Sequence, residues 1–351
     1  MKTAALIPDS LKNPSGGMGI LGEHLNEGLK WDYVIDSSYY RPTVETMEPN
    51  NVMHQALNQA SILSVLYDLK PDLIHSFDWS TIWAAYQYQQ ATGSKFIYHA
   101  QLHIRDCFIG YDDFYAEMLF RAIEDAEFTA MKSADHIIQV SNCYAKKYPK
   151  IFLPKTTVIY NGIDFEYWQK DFEPIELPGN RPIKLLYIGR YAGMKNVHSL
   201  LESNIPKDID LIFAGGSTSG EKSIYDLMLN KVKLNENIHY IGPIYGEIKR
   251  RTLKQVDAII VPSLVEPFGI VGLEGLASKS LVLSSRKGGL GEYLDDSCSI
   301  YCGVTPDEIS NSFKILLNSN KENLIKNGLK RAKQFDWKFS IDKIKNIYDN
   351  L

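Results

Sequence analysis

The sequence is poor in cysteine, and it has no strong excess of charge of either sign. Its four cysteines, Cys107, Cys143, Cys298 and Cys302, are scattered through 351 residues, and no two have C-x-x-C spacing. This pattern argues against a disulfide framework or a zinc site, and it fits a reducing compartment. The formal net charge of −4 gives no general attraction to polyanions. We therefore expect no nucleic-acid partner.

The sequence also lacks an apolar run long enough to cross a bilayer. The first ten residues, MKTAALIPDS, predict a β-strand rather than a signal peptide, because Pro8 and Asp9 end their short apolar run. We therefore expect a cytoplasmic protein. Residues 145–155, AKKYPKIFLPK, mix four lysines with apolar side chains. We interpret them as a solvated helix end followed by strand residues; weak peripheral contact with the inner face of an anionic membrane is the less favoured alternative.

What the sequence does have is a repeated alternation of short apolar runs and amphipathic segments. This pattern is typical of parallel-sheet α/β proteins, and 351 residues suffice for two such domains. The alternation stops in a polar stretch with three prolines and then starts again. We predict two Rossmann-like domains facing each other across a cleft. The predicted segments are a first domain at 1–165, a linker at 166–181, a second domain at 182–335, and a C-terminal helix at 336–351.

The stretch EPFGIVGLEGLA, residues 266–277, follows a strand of the second series. Pro267 and Gly269 predict a loop, and the apolar residues from Ile270 onward predict a short buried helix. The first free N–H groups of this helix belong to Gly269, Ile270 and Val271. Because ligands bind at the carboxyl ends of parallel strands, we expect an anion-binding site here.

Two cations are predicted at the same edge of the sheet. Arg190 ends the strand IKLLYIGR, and Lys195 follows in the loop before the next helix. Taken alone, each would be read as a solvated loop cation. Together with the helix N-terminus, a guanidinium and an ammonium are suited to holding a diphosphate.

The motifs GRYAGMKN, EPFGIVGLEGLA and VIYNGID resemble those of the retaining glycosyltransferases of the GT-B fold, family 4. The resemblance implies that Arg190 and Lys195 neutralise the diphosphate of a nucleotide-sugar donor. It places Glu266 near the sugar hydroxyls and Glu274 against the nucleotide ribose, whereas the alternative for Glu274 is a surface helix carboxylate. It also implies that the C-terminal helix crosses back to the first domain.

The first domain carries the remaining candidates. Gly16, Gly17 and Gly19 lie between the first strand and the first helix, where missing Cβ atoms allow a substrate to approach the backbone. Asp78 either orients an acceptor hydroxyl or caps the next helix, and both interpretations stay open. His99, at a strand end, matches the family's histidine near the donor sugar. The full predicted donor-binding set is Gly16, Gly17, Gly19, His99, Gly189, Phe268, Gly269, Ile270, Val271 and Glu274, and the catalytic set is Arg190, Lys195 and Glu266.

The function that follows is transfer of a hexose from a UDP- or GDP-sugar to a hydroxyl of a saccharide or lipid-linked acceptor. No D-x-D pair stands in a setting suited to metal–diphosphate coordination, so we predict neither a metal ion nor another cofactor. Retention of anomeric configuration is implied by the resemblance alone. The alternatives are a nucleotide-sugar epimerase or a non-catalytic nucleotide-sugar-binding protein of the same fold.

Overall fold

The computed structural model describes residues 1–12, 17–36, 50–107, 109, 114–216, 222–319 and 321–351. The chain forms two compact units. The first contains Met1–Asn161 together with Trp337–Leu351, and the second contains Gly162–Asp336. The whole segment predicted as a linker, 166–181, is thus part of the second unit.

The first unit is built on a six-stranded parallel sheet. Its order is β2-β1-β3-β4-β5-β6, so the chain crosses over between non-consecutive neighbours. The strands are β1 (Thr3–Leu6), β2 (Tyr33–Ile35), β3 (Leu73–Phe77), β4 (Lys95–Ala100), β5 (His136–Gln139) and β6 (Thr156–Val158). The helices are α1 (Gly17–Leu29), α2 (Asn50–Leu69), α3 (Trp79–Thr92), α4 (Ile104–Cys107), α5 (Phe114–Ser133) and α6 (Asn142–Ala145).

The second unit repeats this plan with a second parallel sheet, of order β12-β11-β10-β7-β8-β9. Its helices and strands are α7 (Phe165–Gln169), β7 (Ile183–Ile188), α8 (Val197–Glu202), β8 (Ile209–Ala214), α9 (Lys222–Leu234), β9 (Ile238–Tyr240), α10 (Gly246–Gln255), β10 (Ala258–Val261), α11 (Ile270–Ala277), β11 (Leu281–Ser284), β12 (Ile300–Tyr301), α12 (Pro306–Asn318) and α13 (Lys321–Ala332). The prediction of two Rossmann-like α/β units is confirmed.

The central strands are buried along their whole length because helices cover both faces of a parallel sheet. All five residues of β3 and all six of β8 are buried. The core of the second unit joins β7, β8, β10 and β11 to apolar faces of α8, α9 and α12. This burial fixes the sheet and therefore the loops at its carboxyl edge, which carry the candidate residues.

The last helix, α14 (Trp337–Asp349), belongs to the first unit, where it packs on α1. Gly28 makes this packing close, because a Cβ there would lie 2.4 Å from Cδ1 of Ile341. The two ends of the second unit meet each other, since Ile163 forms a parallel bridge with Asp336. The N–H of Ile163 also donates to the Phe335 carbonyl at 2.9 Å. The second unit is thus an insertion whose two ends lie side by side.

A buried carboxyl lies inside the first unit. Glu127, on α5, is fully buried and accepts hydrogen bonds from the hydroxyls of Tyr98 at 2.6 Å and Tyr148 at 3.0 Å. Burial raises the pKa of Glu127 to about 8. The group is therefore mostly a neutral acid at pH 7.

Residues 145–155 differ from the prediction. The apolar residues expected to begin a strand form a 3₁₀ helix, Lys150–Lys155, and the strand starts only at Thr156. Lys155 is only partly buried, and its Nζ donates to the carbonyls of Lys132 and Ala134 at 2.7 Å. Ile151 remains 70% exposed. Membrane contact stays a prediction; none of the described helices is long and apolar enough to span a bilayer.

Candidate functional site

The loop after β10 is shaped by close backbone contacts. Gly269 has φ +90° and ψ 60°, a left-handed conformation that favours glycine. A Cβ on Gly288 would lie 2.0 Å from the carbonyl oxygen of Glu266, and the N–H of Gly289 donates to that same oxygen at 2.9 Å. Side chains at Gly269 and Gly288 would therefore displace the loop that carries Glu266.

The helix that follows presents its N-terminus as predicted from the sequence. The first intrahelical hydrogen bond of α11 runs from Gly272 N–H to the Gly269 carbonyl at 3.0 Å. The N–H groups of Gly269, Ile270 and Val271 precede that bond and are available to an anion. The buried Phe268 packs on the ring of Tyr293 at 5.3 Å between centroids, and the Tyr293 hydroxyl also donates to Gly269 O.

Lys195 and Glu266 form an ion pair. Nζ of Lys195 lies 2.6 Å from Oε2 of Glu266, which also accepts from Oγ of Ser263 at 3.2 Å. Glu266 is 8% exposed, so its carboxylate is held in place by its partners. The structure thus brings together two residues that sequence reasoning placed on separate loops.

Backbone and amide contacts fasten these two loops together. Leu264 N–H donates to Met194 O at 2.8 Å. Asn196, in the left-handed region at φ +58°, donates through Nδ2 to the carbonyls of Pro262 at 3.1 Å and Val304 at 2.7 Å. The positions of Lys195 and Glu266 are therefore set by bonds that need no ligand.

Glu274 is buried on α11 and is not a surface carboxylate. Its side chain is 6% exposed, and Oε1 pairs with Nζ of Lys249 at 2.6 Å. Oε2 is also buried, and it has no hydrogen-bond partner among the described residues. Buried carboxylate oxygens are normally paired, so this atom is suited to accept a hydrogen bond from a ligand.

Sequence reasoning missed Lys249. It lies on α10 beside Arg250 and Arg251, and nothing in this run of three cations indicates which one faces α11. Arg250 instead donates to the carbonyls of Lys170 at 2.6 Å and Asp171 at 3.0 Å, which fastens the segment after α7 to α10. Lys249 and Arg250 therefore contact different parts of the second unit.

Gly189 and Arg190 follow β7 directly. The N–H of Gly189 donates to Ala214 O at 3.1 Å, and a Cβ on Gly215 would lie 2.0 Å from Gly189 O. The loops after β7 and β8 are thus in close backbone contact. The side chain of Arg190 is exposed, and no described residue pairs with its guanidinium.

In the first unit, the candidate residue His99 lies near the end of β4. His99 is 1% exposed; its Nδ1 lies 3.3 Å from Nε2 of His75, and its own Nε2 has no partner among the described residues. Burial lowers the pKa of His99 to about 3, so the ring is neutral. A buried, unpaired ring nitrogen is a second position suited to ligand contact.

Other first-unit candidates have mixed outcomes. Gly16 lies outside the described residues. Gly17 and Gly19, predicted between the first strand and the first helix, both lie instead in the first turn of α1. A Cβ on Gly17 would meet open space, and the N–H of Gly19 donates to Oδ2 of Asp9 at 3.1 Å. Asp78 caps α3 by accepting from Trp79 N–H at 2.8 Å. The capping role of Asp78 is therefore observed, and its contact with an acceptor stays a prediction.

Two family models match complementary parts of the chain. "Glycosyltransferase Family 4" matches residues 32–167, and "Glycosyl transferases group 1" matches residues 169–331. The chain belongs to the group 1 glycosyltransferases of the GT-B fold. An uncharacterized glycosyltransferase of Methanocaldococcus jannaschii is 27% identical over 233 residues. That match covers 63% of this chain and 61% of the relative, which is less than two thirds of its length.

Solved glycosyltransferase structures share the fold over the whole chain. Sucrose-phosphate synthase from Thermosynechococcus elongatus superposes with a TM-score of 0.82 at 19% identity, covering 100% of this chain and 99% of its own. Anabaena HepE, in complex with UDP-glucose, gives 0.76 at 16% identity, covering 99% and 100%. At these identities the likeness concerns the fold.

Proposed function

We propose that this glycosyltransferase moves a hexose from a UDP- or GDP-sugar to a hydroxyl of a saccharide or lipid-linked acceptor. The observation that carries the proposal is the buried, unpaired Oε2 of Glu274. It lies one helical turn from an N-terminus whose free N–H groups suit a phosphate. A nucleotide diphosphate offers both partners at once, since its ribose carries hydroxyl donors and its phosphates carry the negative charge.

In this proposal the leaving diphosphate is stabilised by fixed positive groups. Lys195, Arg190 and the backbone amides at the start of α11 face the charge that develops as the bond to the sugar breaks. Lys195 is held by Glu266 at 2.6 Å, so its ammonium is positioned before the donor binds. Arg190 is free to fold over the phosphates, because no described side chain holds it.

Glu266 is proposed to accept a hydrogen bond from a hydroxyl of the transferred sugar. Its Oε2 serves Lys195 and Ser263, and a carboxylate has lone pairs on both oxygens for further donors. We assign Glu266 no nucleophilic role, and we take retention of configuration from the family. The UDP-glucose complex of HepE supports UDP as the first nucleotide to test.

Metal independence also stays a proposal. The group 1 glycosyltransferase site supplies two cationic side chains and a helix N-terminus for a diphosphate, which makes a bridging cation unnecessary. Among the described residues, no group of three or more histidine, cysteine, aspartate or glutamate side chains is placed to hold a metal ion.

The test is calorimetric titration of the purified chain with UDP-, GDP- and ADP-sugars, followed by transfer assays with and without EDTA. We expect one nucleotide to bind and Glu274→Gln to weaken it about 10-fold or more, since a charged acceptor is lost. The matched control, Glu202→Gln, changes a half-exposed helix carboxylate of the same unit and leaves affinity unchanged.

Four outcomes would contradict parts of the proposal. Equal affinities of the wild type and Glu274→Gln would remove the ribose assignment. Binding without release of nucleotide to any sugar or lipid acceptor would favour a non-catalytic binding protein, and a changed sugar configuration without transfer would favour an epimerase. Loss of transfer in EDTA that Mg²⁺ or Mn²⁺ restores would overturn metal independence.

A further inference from the structure

A chain of hydrogen bonds runs from Trp31 through Tyr348 and His75 to His99. We propose that this chain fixes the tautomer of His99 so that its Nε2 carries the proton and donates to the bound substrate. The inference rests on the proposed function, because it assigns a direction to the contact between His99 and a sugar donor. It makes Tyr348, on the C-terminal helix, a positioning residue.

The first two hydrogen bonds, Trp31 to Tyr348 and Tyr348 to His75, allow only one assignment of donors and acceptors. Nε1 of the Trp31 indole can only donate, and it lies 2.7 Å from the hydroxyl oxygen of Tyr348. The Tyr348 proton then needs an acceptor, and Nδ1 of His75 lies 2.6 Å from the hydroxyl. The reverse arrangement would leave a buried hydroxyl proton without a described acceptor, which costs free energy.

The direction passes through His75 to His99. Burial lowers the pKa values of both histidines, so each neutral ring carries one proton. Because Nδ1 of His75 accepts from Tyr348, its proton is on Nε2, which donates to Nδ1 of His99 at 3.3 Å. The proton of His99 must then be on Nε2.

This assignment decides what His99 can recognise. Nε2 of His99 is buried and has no partner among the described residues, so its N–H is left for a ligand. The partner atom must offer a lone pair, as a sugar hydroxyl oxygen or a phosphate oxygen does. With the opposite tautomer the same nitrogen would accept, and a hydroxyl would have to donate to it.

The tautomer can be read directly in the substrate-free protein. We expect long-range ¹H–¹⁵N correlation spectra of ¹⁵N-histidine-labelled protein at pH 7.5 to show a protonated Nε2 and a bare Nδ1 for both His75 and His99. The signals of His99 are assigned by their loss in His99→Gln. A protonated Nδ1 in wild-type His99 would overturn the inference.

Tyr348→Phe tests the origin of the preference, since it removes the hydroxyl and keeps the ring. We expect the Nε2–H preference of His99 to weaken to a mixture of tautomers and the donor KM to rise about 3- to 10-fold, the effect of one hydrogen bond. Ser340→Ala is the matched control on the same helix. It removes the 2.6 Å hydrogen bond from the Ser340 hydroxyl to Tyr160 O and leaves the hydrogen bonds between Trp31, Tyr348, His75 and His99 in place. It should leave the tautomer unchanged.

Identical histidine spectra for the wild type and Tyr348→Phe would contradict the role of Tyr348. The spectra need no substrate, so a failure of nucleotide-sugar binding would leave the tautomer result intact. Conversely, the wrong tautomer would leave the transferase proposal intact.

Discussion

At the scale of single residues, the buried Glu274–Lys249 pair means that a substitution of Glu274 would affect stability as well as the ligand binding proposed for it. The ammonium is 12% exposed and the carboxylate 6%, so neither charge is solvated enough to stand alone. Removing one member of such a pair typically costs about 3–5 kcal/mol, because the other is left buried without a partner. A loss of activity in a single variant would therefore mix two causes.

A double variant separates them. We expect Glu274→Ala to lower the free energy of unfolding by about 3 kcal/mol or more, and Glu274→Leu/Lys249→Met to recover most of that loss, because apolar residues can replace a buried pair. Nucleotide affinity should stay low in both variants, since the carboxylate is absent from each. Urea denaturation and calorimetric titration measure the two quantities. Recovered affinity in the double variant would contradict the ligand role of Glu274.

At the scale of loops and helices, the loop that carries Glu266 depends on glycine for two separate reasons. Gly269 adopts a positive φ, and a Cβ there would also lie 2.4 Å from Cδ2 of Leu290 and 2.9 Å from Cγ of Glu266. Gly242 has a similar φ of +77°, but a Cβ there would meet nothing within 4 Å. The two glycines therefore distinguish backbone strain from steric displacement.

The corresponding variants give the next prediction. Gly242→Ala should cost about 1–2 kcal/mol of stability, the usual penalty of a left-handed alanine, and leave nucleotide affinity unchanged. Gly269→Ala should cost more and also weaken nucleotide binding, because the clash moves Glu266 and the start of α11. Chemical denaturation and nucleotide titration compare them. Unchanged affinity in Gly269→Ala would contradict the role of this loop in binding.

The sequence predicts the central strands and one edge strand, β9, whose run HYIGP is mostly apolar, but it does not predict the edge strands β2 and β12, which have three and two residues. The edge strand β6 begins later than the strand residues expected within 145–155. Such short segments show no periodicity, and one neighbouring strand is enough to hold them. Lys249 was missed for a related reason, since its pairing with Glu274 is set by how α10 packs on α11. Sequence motifs are enough to predict Glu266 and Glu274 as site residues. The residues that pair with them follow only from the packing of the folded chain.

At the scale of the whole molecule, one buried group makes stability depend on pH. The folded-state pKa of Glu127 is about 8, against an ordinary value of 4.5. At pH values between these two pKa values, the carboxyl of Glu127 is ionised in the unfolded chain and protonated in the folded chain. The contribution of Glu127 to stability is therefore full below about 4.5 and is lost as pH rises toward about 8.

Glu127→Gln should abolish this dependence. The amide replaces the neutral acid in shape and can still accept from the Tyr98 and Tyr148 hydroxyls. Between about pH 4.5 and pH 8, the free energy of unfolding of the wild type should fall by up to ~1.4 kcal/mol per pH unit relative to the variant. Thermal unfolding at pH 5, 7 and 9 measures the difference, with Glu236→Gln, an exposed carboxylate, as control. Parallel pH curves for the wild type and Glu127→Gln would contradict the assignment.

The bridge between Ile163 and Asp336 has a consequence for engineering. The second unit is one uninterrupted segment of the chain, and its two ends are hydrogen-bonded to each other. Its first and last residues therefore lie next to each other. Exchange of residues 162–336 for the matching segment of a relative would require only two splice points, both at this bridge. A chimera made at these two points would exchange the unit for which we propose nucleotide binding and would keep α14 and His99 of the original protein.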